Sequence, residues 1–379
     1  MSKSSKYNNY FSQIRELETQ YAIISSNLVS GYPKPLNTAK EKKKFFRKIK
    51  KNEIYNPQMK YEERRYCKDS LKQLEELKKS INLDDDIFNL KYLLKKKIEE
   101  GILNIEMYEN WGTKRSCEIC AKTKGKPTKT DFQKAMKFIL NYERGIIKFK
   151  RLTVKRLGRE LIKEVHKLTG EKINVEFEEL ANKMLILANQ KKVIINPQEQ
   201  FRSIDLERLK VHEIQTHFMR YHNATKLDFC LLQTGTPNYI LTEEGLAVYM
   251  EYKHDVLSRA QMYIYAGRVV ATYLCQEKSF YEIYNYLVNI GFKEEDAFKI
   301  TLRSKRNLND TSQIGGYTRD YIYFVGFHKV KKHIEKNPED FKKLFIGKIG
   351  LKDLKTLKKF INYVKREEKK KLREKNSNY

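Results

Sequence analysis

The sequence predicts an α+β chain that is mainly helical, with one small sheet. Apolar residues recur at helical spacing along most of its length, while alternation and short β-branched runs are confined to residues 173–196. Its size and composition fix the class. At 379 residues, 40% hydrophobic and 12% aromatic, it is a globular chain long enough for one large core or two domains.

Tyr10, Ile14, Leu17, Tyr21 and Ile24 give the first thirty residues an amphipathic helical face, which Gly31-Tyr32-Pro33-Lys34-Pro35 breaks. Lys40–Lys51 is a basic helical run with Phe45, Phe46 and Ile49 as its stripe. Residues 60–100 read as one or two charged helices. Periodicity weakens over 101–130, where Gly112, Gly125 and Pro127 mark turns, and returns from Thr130 to His166 until Gly170 stops it. Ile173, Val175 and Phe177 alternate as a strand, and 184–188 with 193–196 form a hairpin around Asn189-Gln190-Lys191. Ser203 is the expected N-cap of a helix running to about His222-Asn223. Thr242 opens the next, and further helices fit 256–276, 277–290, 294–307 and 319–335. Residues 351–379 form a basic terminal helix.

The chain carries 77 Lys+Arg against 48 Asp+Glu, a formal net charge of +29. A field of that sign attracts polyanions, although a bias toward Lys, Asn, Ile and Tyr throughout the composition explains it equally well. No apolar run reaches the ~18 residues of a membrane-spanning helix. The start has no secretory apolar stretch, so the cytoplasm is the expected compartment. Five cysteines, an odd number, point to reduced thiols, and Cys117-Glu118-Ile119-Cys120 lacks the second pair that a structural zinc site needs.

The chemistry concentrates in Val211-His212-Glu213-Ile214-Gln215-Thr216-His217. Two imidazoles four apart on a helix share a face and can reach one metal. Here the spacing is five (217 − 212 = 5), which on an ideal helix sets them about 140° apart. Either they are ordinary polar residues of an amphipathic helix, or a π-bulge between them restores the shared face. On the second reading His212 and His217 are metal ligands, Glu244 is the third with Glu243 as the alternative, and Glu213 is the general base. His222 falls at the helix end, and His254, His328 and His333 are scattered.

The stretch His212–Tyr221 resembles the HExxTH motif of the tyrosine carboxypeptidases related to the microtubule-associated enzyme, whose bacterial members are labelled by a QEGLA motif as flavohaemoglobin expression-modulating proteins. Glu243-Glu244-Gly245-Leu246-Ala247 resembles that second motif, with Glu in place of Gln. Leu232–Pro237 is similar to the turn before it. Arg303, Lys305-Arg306, Gly315–Asp320, Tyr323 and Gly326 are similar to a third conserved block, with Asn307 where the family commonly has Gly. The resemblance covers about residues 190–330 by motif. It implies a zinc metallopeptidase of zincin-like fold with a small sheet beside the active-site helix, one Zn2+ held by His212, His217 and Glu244, and Glu213 as catalytic base.

A carboxypeptidase must also grip a free carboxylate, for which Arg303, Arg306, Arg319 and Arg220 are the candidates. Tyr323 and Tyr317 are candidate donors to the developing oxyanion. The implied partner is a protein or peptide C-terminal tail, acidic if the basic surface is used, with a terminal tyrosine or other aromatic residue as the preferred end. Nucleic acid is the lesser alternative, because no helix-turn-helix, zinc-finger or RRM signature accompanies the charge. A regulatory protein with a vestigial zinc site is the third reading. The expected organisation is an N-terminal helix and basic segment (1–55), a helical region packing on the catalytic core (56–170), the metallopeptidase core (171–350) and a basic C-terminal helix or tail (351–379).

Overall fold

The computed structural model describes residues 3–26, 33–63, 68–143, 145, 150–179, 183–227 and 229–377; Gly31, Tyr32 and Cys67 lie outside them. The expected apolar face forms α1 (Lys3–Ser26), with Tyr10, Ile14, Tyr21 and Ile24 buried. The basic run forms α2 (Thr38–Ile49), anchored by Phe45 in the main core. The charged region resolves into α3 (Lys68–Ser80) and α4 (Leu90–Glu109). The helix α5 (Lys114–Lys124) was not legible and occupies a stretch assigned to turns. It buries Ser116, Cys117, Ile119, Cys120 and Thr123, mostly small or polar side chains that leave little hydrophobic period. The expected turns at Gly112 and Gly125 flank it, with φ of 95° and 73°.

A Thr128–Asp131 capping box opens α6 (Lys129–Leu140). The strand β1 (Arg151–Leu152) then separates it from α7 (Val154–Thr169), so the helical stretch from Thr130 to His166 is two helices. The sheet follows as expected: β2 (Asn174–Phe177), β3 (Met184–Leu187) and β4 (Lys192–Ile195), in the order β2-β4-β3. β3 and β4 form the antiparallel hairpin, with Met184 opposite Ile195, and β2 joins β4 in parallel. β3 is therefore an edge strand and β4 is central. β5 (Phe201–Arg202) pairs antiparallel with β1.

The site helix is continuous through α8 (Asp205–Leu209), a π-helical segment Lys210–Phe218 and α9 (Met219–Thr225). Ser203 does not cap it. Its hydroxyl accepts from the Lys150 N–H, and Ile204 takes the N-cap position. Leu209, Ile214 and Phe218 pack with Leu157, Leu161 and Val165 of α7 and with Val193 and Ile195 of the sheet. Each fully buried side chain of this size contributes about 1.5–3 kcal/mol, which fixes the roll of the helix.

After α10 (Cys230–Thr234) comes α11 (Ile240–Lys253). It begins two residues before the expected Thr242, whose hydroxyl instead accepts from the Leu351 N–H. The remaining elements are α12 (Arg259–Leu274), α13 (Phe280–Asn289), α14 (Glu294–Lys305), a 3-10 turn at Thr318–Tyr321, α15 (Ile322–Lys336), α16 (Asp340–Leu344), α17 (Asp353–Thr356) and α18 (Lys358–Ser377). The largest core gathers Tyr265, Val269 and Val270 of α12 with Phe280, Phe298 and Phe324. The whole is mainly helical with small sheets. No described helix is long and apolar enough to cross a membrane.

Candidate metal centre

The distortion that the five-residue spacing demands is present. In the π-helical segment the backbone pairs residues five apart, and the Thr216 hydroxyl donates to the Val211 carbonyl at 2.9 Å. His212 and His217 thus lie on one face, their ring centroids 4.9 Å apart and their planes at 81°.

Glu244, near the start of α11, completes the group. One ligand atom from each of His212, His217 and Glu244 lies within 4.8 Å of the other two. Glu244 Oε2 is 3.5 Å from His212 Nε2 and 3.7 Å from His217 Nε2. Bonds of about 2.0–2.1 Å to a tetrahedral ion set donors roughly 3.4 Å apart, so these separations fit zinc with little adjustment. The donor chemistry fits as well: two nitrogens and one carboxylate oxygen, with a fourth position left over for water.

Both imidazoles are held from behind. His212 donates from Nδ1 to Glu251 Oε1 at 2.6 Å, and Arg208 bonds the same oxygen at 3.2 Å. His217 donates from Nδ1 to Glu243 Oε1 at 2.8 Å, and Glu243 Oε2 is paired with Arg220. Each Nε2 is consequently the nitrogen that faces Glu244. Of the two adjacent glutamates, Glu244 is the one near the Nε2 atoms of both imidazoles, while Glu243 lies behind His217. Burial alone would raise both carboxyls, but the hydrogen bonds and charge of their neighbours outweigh it. Arg220 and His217 hold Glu243 down at about 2, and the two imidazoles hold Glu244 well below its usual range.

Glu213, beside the first imidazole on the site helix, is half-buried and has no side-chain hydrogen bond among the described residues. Tyr323 on α15 is half-buried, with its ring stacked on Tyr265 at 4.9 Å and 10°. Burial and the charge of Glu244 both push its hydroxyl up, so it stays a donor at neutral pH. Arg319 reaches Glu244 Oε1 at 3.7 Å and donates to the Tyr317 hydroxyl. Tyr317 itself is buried, its ring under the Arg306 guanidinium at 4.7 Å, so it holds Arg319 and Arg306 and presents little surface to a ligand.

The remaining arginines separate by environment. Arg303 clamps Asp320 through two nitrogens, and Arg306 bonds the same carboxylate at 2.7 Å. Arg220 is corrected from a substrate-binding to a structural residue. It is fully buried, and besides Glu243 its guanidinium donates to the carbonyls of Leu344 at 2.9 Å, Gly347 at 3.1 Å and Ile349 at 2.8 Å. At 0% exposure it offers no surface to a ligand.

Lys305, from the same motif block, is also internal. It donates to the Gln313 carbonyl at 2.6 Å, and burial pushes it down to about 8. Asn307 is buried and accepts from Cys117 Sγ at 3.4 Å. Burial pushes the Cys117 and Cys275 thiols up to about 12, as expected for inert reduced cysteines.

Glu251 and Arg208 were missed from the sequence. Each carried a signal: Glu251 stands seven residues after Glu244 and Arg208 four before His212, and both intervals return to one helix face. Arg268 was missed too, although it is the one charged residue in the run Met262–Leu274.

Comparison with known proteins places the chain. Residues 43–364 match the family described as microtubule-associated tyrosine carboxypeptidase. Microtubule-associated tyrosine carboxypeptidase 1 of Mus musculus is 29% identical over 162 residues, covering 41% of this chain and 33% of its own length. The Homo sapiens protein of that name is 28% identical over 160 residues, 39% of this chain and 32% of its own. The chain thus spans about a third of the length of the curated relatives it matches. A Colwellia psychrerythraea protein of solved structure, described as a lipoprotein, aligns over 78% of this chain and 66% of its own at 11% identity, with a TM-score of 0.46.

Proposed function

The chain belongs to the microtubule-associated tyrosine carboxypeptidase family, and on that premise we propose that it is a zinc-dependent carboxypeptidase of zincin-like fold that removes the last residue of a protein or peptide. The carrying observation is the convergence of His212, His217 and Glu244 on one point, each imidazole backed by a buried carboxylate. Carboxylate–imidazole pairs of this kind fix the tautomer and raise the basicity of metal-ligating histidines.

When bound, zinc supplies Lewis acidity toward a water and toward the scissile carbonyl oxygen. The chain's own residues do the rest. Glu213 takes the attacking water's proton on its free carboxylate and returns it to the leaving amide nitrogen. Tyr323, kept protonated, donates from its hydroxyl to the oxygen that gains charge. Arg319 adds positive charge beside Glu244. Arg303 and Arg306 keep positive potential on the side of the site where a terminal carboxylate would enter, while Asp320 fixes their geometry.

The substrate on this reading is a C-terminal tail with a terminal tyrosine or other aromatic residue, and acidic residues upstream would complement the +29 charge. The cytoplasm is the compartment that suits such tails. The test is direct. Bound metal is quantified, and wild type and Glu213→Gln are then incubated with a peptide library of varied C-termini and read by mass. Loss of one terminal residue with wild type alone is expected. Stoichiometric zinc with no cleavage would favour a vestigial site. A failure to take up zinc on reconstitution would overturn the reading.

A further inference from the structure

We infer that Arg268 is the guanidinium that receives the substrate's free C-terminal carboxylate, an assignment that rests on the carboxypeptidase reading above. Arg268 lies midway along α12, in a run whose neighbours Tyr265, Ala266, Gly267, Val269 and Val270 are all buried. Arg268 itself is half-buried, and a guanidinium seated among buried neighbours is costly to leave unpaired. Yet its Nε is buried without a hydrogen-bond partner, and among the described residues no carboxylate forms an ion pair with it.

What surrounds Arg268 orients it without neutralising it. Its guanidinium lies over the Tyr323 ring at 5.1 Å and the Tyr265 ring at 5.2 Å, and those rings are stacked on each other. Aromatic faces fix the plane of a guanidinium and leave its edge for a planar, bidentate acceptor. Asp320, the carboxylate whose charge reaches it, is already held by Arg303 and Arg306. Asp320 is thus taken by those two residues, and Arg268 has no carboxylate of its own among the described residues. A peptide's terminal carboxylate has the charge and the planar shape that a guanidinium held in this way accepts.

The location suits the reaction. Tyr323 joins Arg268 to the metal centre, because the same side chain stacks under the guanidinium and is influenced by Glu244. A residue anchored on Arg268 by its carboxylate would present its own peptide bond toward Glu213 and the His212–His217–Glu244 group. One residue would then be removed at a time, and internal bonds would be refused. Arg303, Arg306 and Arg220 fit this role less well because their donors hold Asp320, Glu243 and backbone carbonyls.

The test compares one peptide as the free acid and as the C-terminal amide, using the full-length zinc-loaded protein. Wild type, Arg268→Gln, Arg268→Lys, Arg303→Gln and Arg319→Gln are each checked for zinc content and thermal midpoint. Wild type should prefer the acid. In Arg268→Gln the acid-to-amide ratio of kcat/KM should collapse by about 10- to 100-fold, the range for losing a charge-assisted hydrogen bond. Arg268→Lys keeps the charge without the fork and should recover only part of the ratio. Should Arg268→Gln not fold, the lysine variant decides, and an unchanged ratio in it overturns the assignment. The assignment is equally overturned if the ratio collapses in Arg303→Gln or Arg319→Gln and persists in Arg268→Gln. Failure of wild type to cleave either peptide would instead overturn the carboxypeptidase reading on which the assignment rests.

Discussion

Gly245 of α11 and Gly326 of α15 meet backbone to backbone. A Cβ built on Gly245 would lie 2.7 Å from Gly326 Cα, and one built on Gly326 would lie 3.0 Å from Gly245 Cα. No side chain fits between the two helices here, and glycine is used for the close approach it permits. The crossing sets the site. Gly245 follows Glu244, and Gly326 lies three residues after Tyr323, so this one contact fixes the ligand and the candidate oxyanion donor relative to each other.

Gly326→Ala should therefore push α15 off α11 and cost about 1–3 kcal/mol of stability, the usual range for overpacking. Zinc affinity should fall with it because Glu244 moves. Calorimetry and zinc titration check both. A variant as stable and as metal-avid as wild type would show that the helices can separate without disturbing the site.

Glu213→Gln keeps size and shape and removes the base. Peptide turnover should fall about 100- to 10,000-fold, with zinc content and thermal midpoint within error of wild type. Steady-state kinetics beside metal analysis would expose the idea as wrong if zinc were lost in parallel.

Glu251→Gln tests the support behind His212. The glutamine still accepts from Nδ1 but carries no charge, so zinc affinity should weaken about 10- to 100-fold. Competition with a chromogenic chelator reads this. Equal affinity would mean that the buried Arg208–Glu251 pair serves packing alone.

Arg220→Met removes a buried cation and takes one donor from Glu243 and from the carbonyls of Leu344, Gly347 and Ile349. A loss of about 3–5 kcal/mol is expected, typical of breaking one side of a buried ion pair. In the protein that remains folded, the preference for free-acid over amide peptides should be unchanged. A shift in that preference would return Arg220 to the substrate.

Lys305 gives the chain a pH signature away from the metal. Burial pushes it down to about 8, against about 10.4 in an unfolded chain. A depressed folded value means that the stabilising contribution is fully present above the unfolded pKa and is lost as pH falls through about 8. From pH 8 to 10 this group should add stability at up to about 1.4 kcal/mol per pH unit. Denaturant unfolding of wild type and Lys305→Met across that range should differ in slope, the variant lacking this rise.

Much of the site was legible because its chemistry is local. His212, Glu213 and His217 stand on one segment, and their five-residue spacing required a π-type distortion that the backbone at Lys210–Phe218 adopts. The hairpin was legible from alternation, and most helices from apolar spacing. α5 was not, because its buried face is mostly cysteines, serine and threonine, with Ile119 the one large apolar side chain. The capping roles assigned to Ser203 and Thr242 failed for a shared reason. Each hydroxyl found a partner distant in sequence, Lys150 in one case and Leu351 in the other.

By itself, then, the sequence determined which residue types could meet a metal and the local distortion they need, because helical phase is set by neighbours in the chain. Tertiary structure alone decided which of Glu243 and Glu244 faces the imidazoles, that Glu251 and Arg208 stand behind His212, and that Arg220 is sealed inside. It also decided that Arg268 stacks on Tyr265 and Tyr323 with no carboxylate of its own among the described residues. Those outcomes depend on how α11, α12 and α15 cross, and a crossing held by two glycines leaves no periodic trace in the sequence.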